Sequence, residues 1–132
     1  AVFAALSSLM AGHHSNEALL EQIKASDQWS FYQAKGIKAE IKSLGEGLGK
    51  NDKADTDRYK KEQADIKNEA EIAQTASENH LKKHVVLSRA VTLFQIAIAI
   101  SAIAILTRKK FLWYSGIVLA MIGIVFFIMG SL

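Results

Sequence analysis

Cysteine and proline are both absent from the 132 residues, and each absence removes a class of structure. Without cysteine there are no disulfides and no thiolate metal sites, and either side of a membrane remains open. Without proline no helix is forced to break. Abundant Ala, Leu, Ile, Lys, Glu and Gln then predict an all-α chain with long helices. Missing too is any nucleophile set beside a base, any phosphate loop and any nucleotide fold. Gly45-Glu46-Gly47-Leu48-Gly49 has no strand-to-helix context. The residues argue against an enzyme, and no cofactor is expected.

Acid is confined to the middle of the chain. All thirteen acidic residues lie between Glu17 and Glu78, with twelve basic residues from Lys24 to Lys83, a net of −1. The excess of +4 comes from Arg89, Arg108, Lys109 and Lys110, which flank or separate apolar runs. An overall charge of +3 and a pI near 9.2 therefore do not describe a nucleic-acid surface. Basic residues at membrane edges act as topology and headgroup determinants, so membrane lipid is the expected partner and nucleic acid is not.

What the chain does have is two long apolar runs, Val85–Leu106 and Phe111–Leu132, split by Thr107-Arg108-Lys109-Lys110. Each is long enough to cross a hydrocarbon core of ~30 Å as a helix. So short a connection permits only an antiparallel transmembrane pair. Residues 1–12 are apolar as well, but span only ~18 Å as a helix. They read as the end of a first transmembrane helix truncated in this chain. The rival reading is the remnant of a signal sequence or an interfacial segment.

Residues 13–84 form the polar region, and a glycine-rich, charged stretch predicts a turn near 45–54. Before it, Leu20, Ile23, Ala34, Ile37, Ile41, Leu44 and Leu48 follow a heptad in which Asp27 and Ser30 fill two places. After it, Ile66, Ala70, Ala73, Ser77, His80, His84, Leu87, Val91, Phe94 and Ile98 alternate by four and three. This predicts a helix from about Asp55 to Leu106, its polar half paired with the 15–48 helix as an extramembrane antiparallel coiled-coil hairpin. Its seam is small and polar, which predicts support from further copies or a partner.

Period seven recurs in the apolar runs. Ala90, Ala97 and Ala104, with Ser101, occupy the first; Gly116, Gly123 and Gly130, with Ala120, occupy the second. Small residues on one face let helix backbones approach where lipid removes the hydrophobic drive, so these are expected to be packing seams. Gln95 is an amide inside an apolar run, expected to bond another helix or to line a water-filled path. Trp29 and Tyr32, three residues apart, are expected to anchor a partner helix beside a polar network of Asp27, Gln28 and Ser30. His13, His14, His80 and His84 should fall at one level; with no thiolate and only Glu17 and Glu78 nearby, they are weak metal candidates, and a structural role is expected.

The Arg108-Lys109-Lys110 turn is expected in the cytoplasm, with the adjacent Trp113 and Tyr114 as an aromatic belt. The 13–84 hairpin then lies outside, in the periplasm of a Gram-negative bacterium.

Ser15-Asn16-Glu17-Ala18-Leu19-Leu20, Ala25-Ser-Asp-Gln-Trp-Ser-Phe-Tyr-Gln-Ala-Lys35, Leu93-Phe-Gln-Ile-Ala-Ile-Ala-Ile100 and Leu106-Thr-Arg-Lys-Lys-Phe-Leu-Trp-Tyr114 together resemble the DUF4337 family of bacterial membrane proteins. The first two stretches are fairly specific. The resemblance implies three transmembrane helices with a helical hairpin between the first and second, a cytoplasmic segment before Ala1, and no activity. The expectation is a non-enzymatic inner-membrane structural or accessory subunit, assembling as a homo-oligomer or within a larger complex. The alternative is a small oligomeric channel or ion-handling protein, with Gln95 on its path.

Overall fold

The computed structural model describes residues 1–47 and 53–132, and they are helical almost throughout: α1 (Val2–Gly47), α2 (Lys53–Thr107) and α3 (Lys110–Ser131). No strand occurs among the described residues. Part of the expected 45–54 turn, residues 48–52, lies outside the described residues, as does the seam position Leu48. The helix α1 continues through Gly45 and Gly47, which were expected in the turn. Glycine in a helix is unfavourable by about 1 kcal/mol, too little to end a helix of 46 residues. Between α2 and α3 only Arg108 and Lys109 intervene. Arg108 takes a positive φ of 51°, the left-handed step that commonly closes a helix C-terminus.

The chain divides into two units, Leu19–Glu78 and Ala1–Ala18 with Asn79–Leu132. In the first, a ladder of side chains links α1 to α2. Lys42 Nζ lies 3.4 Å from Asp55 Oδ2, Lys35 pairs with Glu62, and the Gln28 amide donates to Glu69 Oε2 at 2.8 Å. As numbering rises in α1 it falls equally in α2. Small residues are buried along the two helices: Ala25 and Ala39 on α1, and Thr56, Ala70, Ala73 and Ser77 on α2.

Here the expected seam of α1 is corrected. Leu20, Ile23, Ile37, Ile41 and Leu44 are all half or more exposed, and Ala34 is exposed with them. The buried line is Ala18, Ala25 and Ala39, in step by seven with Tyr32 in the gap. The reason lies in what α2 offers. Its facing residues are small, and a small surface meets another small one at closer range than a row of leucines permits. Asp27 and Ser30 accordingly face solvent, not a core. Exposed ion pairs of this kind add little stability, so the ladder fixes register more than it holds the helices together.

In the second unit the three helices meet through α2. Leu87, Ala90, Phe94, Ala97 and Ala104 are buried there, with Ser7 and Ala11 from α1 and Gly116, Gly123 and Gly130 from α3. The Phe3 ring stacks on Phe94 at 6.1 Å and meets Phe127 edge-on at 5.9 Å. Ile98, expected on the α2 seam, is 46% exposed, because the seam there passes to Ala97 and Ser101.

Among the described residues two helices, α2 in its apolar part and α3, are long and apolar enough to cross a membrane. Apart from Leu87 and Phe94, most of their large side chains point outward: Ile105, Leu106 and Phe111 are more than three-quarters exposed. An apolar surface of this extent is covered by lipid or by protein.

Candidate functional site

Two constellations stand out from the helical frame: the glycine face of α3 and the histidines.

Along α3, a Cβ placed on Gly116 would stand 2.8 Å from Ser101 Oγ, one on Gly123 2.9 Å from the Phe94 ring, and one on Gly130 2.7 Å from Leu87 Cγ. Each step of seven up α3 matches a step of seven down α2. The three hydrogens of glycine are thus the floor on which Ser101, Phe94 and Leu87 rest. Ala90, Ala97 and Ala104 are buried on α2, while Ser101 and Ala120 are half-buried. Sequence reasoning named the alanines of α2 as the seam; the side chains that fill the glycine hollows are bulkier, Leu87 and Phe94. They share the same period of seven, and this signal was available in the sequence. The Ser101 hydroxyl donates back to the Ala97 carbonyl at 2.7 Å, so its polar group is satisfied within α2.

Near the opposite end of α3 from the basic turn, His14 and His80 meet with their Nδ1 atoms 3.1 Å apart. One proton between two nitrogens makes this contact; two would repel. His84 Nδ1 donates to the Ala11 carbonyl at 2.8 Å, which fixes its tautomer and takes it out of the pair. His13 packs its ring 5.4 Å from that of His14 but is exposed, beside an open hollow lined by Gly12 and Asn16. Burial pushes the His14 imidazole below its ordinary range, and the neighbouring His80, His13 and Lys83 act in the same direction against a weaker pull from Glu17. Lys83 also donates to the Leu132 backbone oxygen at 3.1 Å, a cation at the negative end of α3. No cluster of three or more metal-ligating side chains is found among the described residues.

Trp29 and Tyr32 are half-buried and packed edge-on at 5.5 Å, and the Tyr32 carbonyl accepts from Gln63 Nε2 at 3.3 Å. They were expected to be exposed for a partner. Tyr32 belongs instead to the side of α1 that meets α2, continuing the line of Ala25 and Ala39, and Trp29 packs on its ring. The exposed aromatic of that stretch is Phe31, at 62%.

Gln95 is exposed on α2, and its amide has no hydrogen-bond partner among the described residues. Thr92, one turn away, is satisfied by the Ser88 carbonyl at 3.0 Å. An apolar groove of about 470 Å³ runs beside Phe3, Phe94, Ala97, Ser101, Gly116 and Ile117, and offers one hydroxyl to any occupant. Trp113 and Tyr114 are exposed next to the basic turn, their rings edge-on at 5.2 Å. Nothing in this inventory pairs a nucleophile with a base.

Over residues 1–132 the chain matches the family model described as Domain of unknown function (DUF4337), and it belongs to that family. No curated protein and no solved structure matches it.

Proposed function

From membership of a family without an assigned activity, we propose that the protein is a non-enzymatic integral membrane subunit that assembles through helix packing. In this reading α1, α2 and α3 each contribute a membrane-crossing segment, and residues 13–84 form an antiparallel hairpin outside the bilayer. The membrane is the inner membrane of a bacterium. The Arg108-Lys109-Lys110 turn stays in the cytoplasm and the hairpin faces the periplasm, following the rule that compact basic segments are retained inside.

One observation carries the assembly part. Gln95 presents an unbonded amide on the exposed side of an apolar helix. In hydrocarbon such a group is unfavourable until another helix supplies a partner, and the interhelical bond is worth about 0.6–2 kcal/mol. A copy of the same chain supplies an amide that both donates and accepts. The glycine face of α3 is already occupied by α2, so contacts with other chains fall to the remaining surfaces.

The test is native mass spectrometry of the detergent-extracted protein beside Gln95→Leu. An assembling subunit loses copies, or dissociates at lower collision energy, when the amide is removed. An unchanged copy number and dissociation profile would refute the role given to Gln95. A second reading rests on the same amide: several copies around an axis would place Gln95 along a path for ions. Ion flux across liposomes holding the protein, abolished in Gln95→Leu, would favour that channel over the scaffold.

A further inference from the structure

The side chains that α1 leaves uncovered are arranged, not scattered. Leu20, Ile23, Ile37, Ile41 and Leu44 are 50–70% exposed and fall on alternating steps of three and four, with Asp27, Ser30 and Ala34 in the intervening places. Ala18, Ala25 and Ala39, which are buried, occupy the opposite heptad position. So α1 carries two stripes at once: small residues turned toward α2, and a coiled-coil seam turned away from it.

We propose that this outer seam is where a second copy of the chain docks, α1 beside α1 in the same direction. The shared direction rests on the membrane reading above, since two copies inserted alike present α1 alike. Three features select a second copy over an unrelated partner. The first is self-complementarity: in a parallel pair each layer meets its own kind, Leu20 with Leu20 and Ile37 with Ile37, as knobs into holes. The second is charge. The flanking positions of a parallel pair set Gln33 against Lys38 and Ser26 against Phe31 of the other copy, so like charges meet only in the Asp27 layer. A fully overlapped antiparallel pair sets Lys24 against Lys38 twice. The third is area. The five aliphatic side chains with Phe31 bury ~600 Å² per copy, or ~1,200 Å² in all, the lower bound for a stable specific interface.

Asp27 is the discordant layer, and it gives the pair its register. A polar residue at one core position of a coiled coil lowers stability while excluding shifted alignments. Sliding one copy by a heptad would bury Asp27 against Leu20 or Ala34, alone.

The absence of cysteine makes the test direct. Single substitutions Ile23→Cys, Ile37→Cys and Leu44→Cys are made in the full chain, with Ser43→Cys as an exposed position off the seam, and native membranes are oxidised with copper phenanthroline. All three seam variants should give a product of twice the chain mass, at least fivefold above Ser43→Cys. Adding Asp27→Leu to Ile37→Cys should raise the yield further. Seam yields equal to that of Ser43→Cys would overturn the proposal. So would a product of any other mass, or crosslinking of Ile23→Cys only with Ile41→Cys, which marks antiparallel pairing. An alkaline wash of the same membranes separates the two readings. A chain that stays with the bilayer but gives no seam product overturns the seam alone; a chain washed free overturns the membrane reading, and the crosslinks still judge the seam.

Discussion

The two units solve helix packing by different means. In residues 79–132 the contact is between unequal surfaces, with Leu87 and Phe94 of α2 seated on Gly130 and Gly123 of α3. In residues 19–78 both surfaces are small, Ala25 level with Ala70 and Ala73 and Ala39 level with Thr56, and charged rungs hold them in step. On the membrane reading proposed above, the difference follows from solvent. Between apolar helices in lipid, interlocking shape and close approach must supply the attraction, so a bulky residue is matched to a vacancy. Between helices in water, the same result comes from burying modest area while long polar side chains bridge at the edges.

The contrast is broken most severely at Gly123. Its missing side chain is the space taken by the Phe94 ring, and that ring stacks on Phe3, which meets Phe127 edge-on. Phe94 is itself buried, and displacing its ring breaks the stack on Phe3. Gly123→Ile is expected to destabilise by about 3 kcal/mol or more, at the upper end for overpacking a close contact. A lower melting temperature in detergent and easier proteolysis would show it. If melting and extraction match the parent, the α2–α3 contact is not what holds this unit.

Much of this was legible beforehand. The helical class follows from missing proline and high helix propensity, and the glycine repeat of α3 is a period that no other force explains as well. The choice of seam on α1 was not legible from α1 alone. Two stripes with period seven coexist there, and hydrophobicity points to Leu20, Ile37 and Leu44. Only the small residues of α2 show that the alanine stripe is the one that fits. The histidines illustrate the same limit. Their common level follows from helix ends, but the pairing of His14 with His80, and the capture of His84 by the Ala11 carbonyl, depend on side-chain direction. The contact of Tyr32 with α2 was hidden for the same reason.

A smaller effect separates the histidine pair from its surroundings. His14 is held below its ordinary value near 6.5, first by burial and then by His80, His13 and Lys83, with Glu17 opposing. A depressed histidine binds fewer protons folded than unfolded. The fold therefore keeps its full stability above about pH 6.5 and loses part of it as pH falls from there through the lowered value. Melting followed from pH 8 to pH 5 should show a decline that begins near 6.5. Replacing His80 with Gln removes one of the opposing charges and should flatten it. A melting temperature independent of pH over that range, with His80 intact, would contradict the pairing.

The smallest effect, and the one that sharpens the comparison most, is at Gly36. A Cβ there would approach Gln63 Nε2 to 2.7 Å, a distance as short as any along α3. The obstacle, however, is the tip of a flexible side chain, not a buried ring. Gln63 can give up its 3.3 Å bond to the Tyr32 carbonyl and turn into solvent. Against that small loss stands the gain of replacing a mid-helix glycine with alanine, about 0.5–1 kcal/mol. Gly36→Ala should therefore leave melting unchanged or raise it by a few tenths of a kcal/mol, measured by thermal or denaturant unfolding. Equal geometric crowding then has opposite outcomes at Gly36 and Gly123, because one neighbour can turn into solvent and the other is a buried ring. If Gly36→Ala instead destabilises as Gly123→Ile does, the polar unit is packed as rigidly as the apolar one. The division of labour between shape in one and side-chain bridges in the other would then fail.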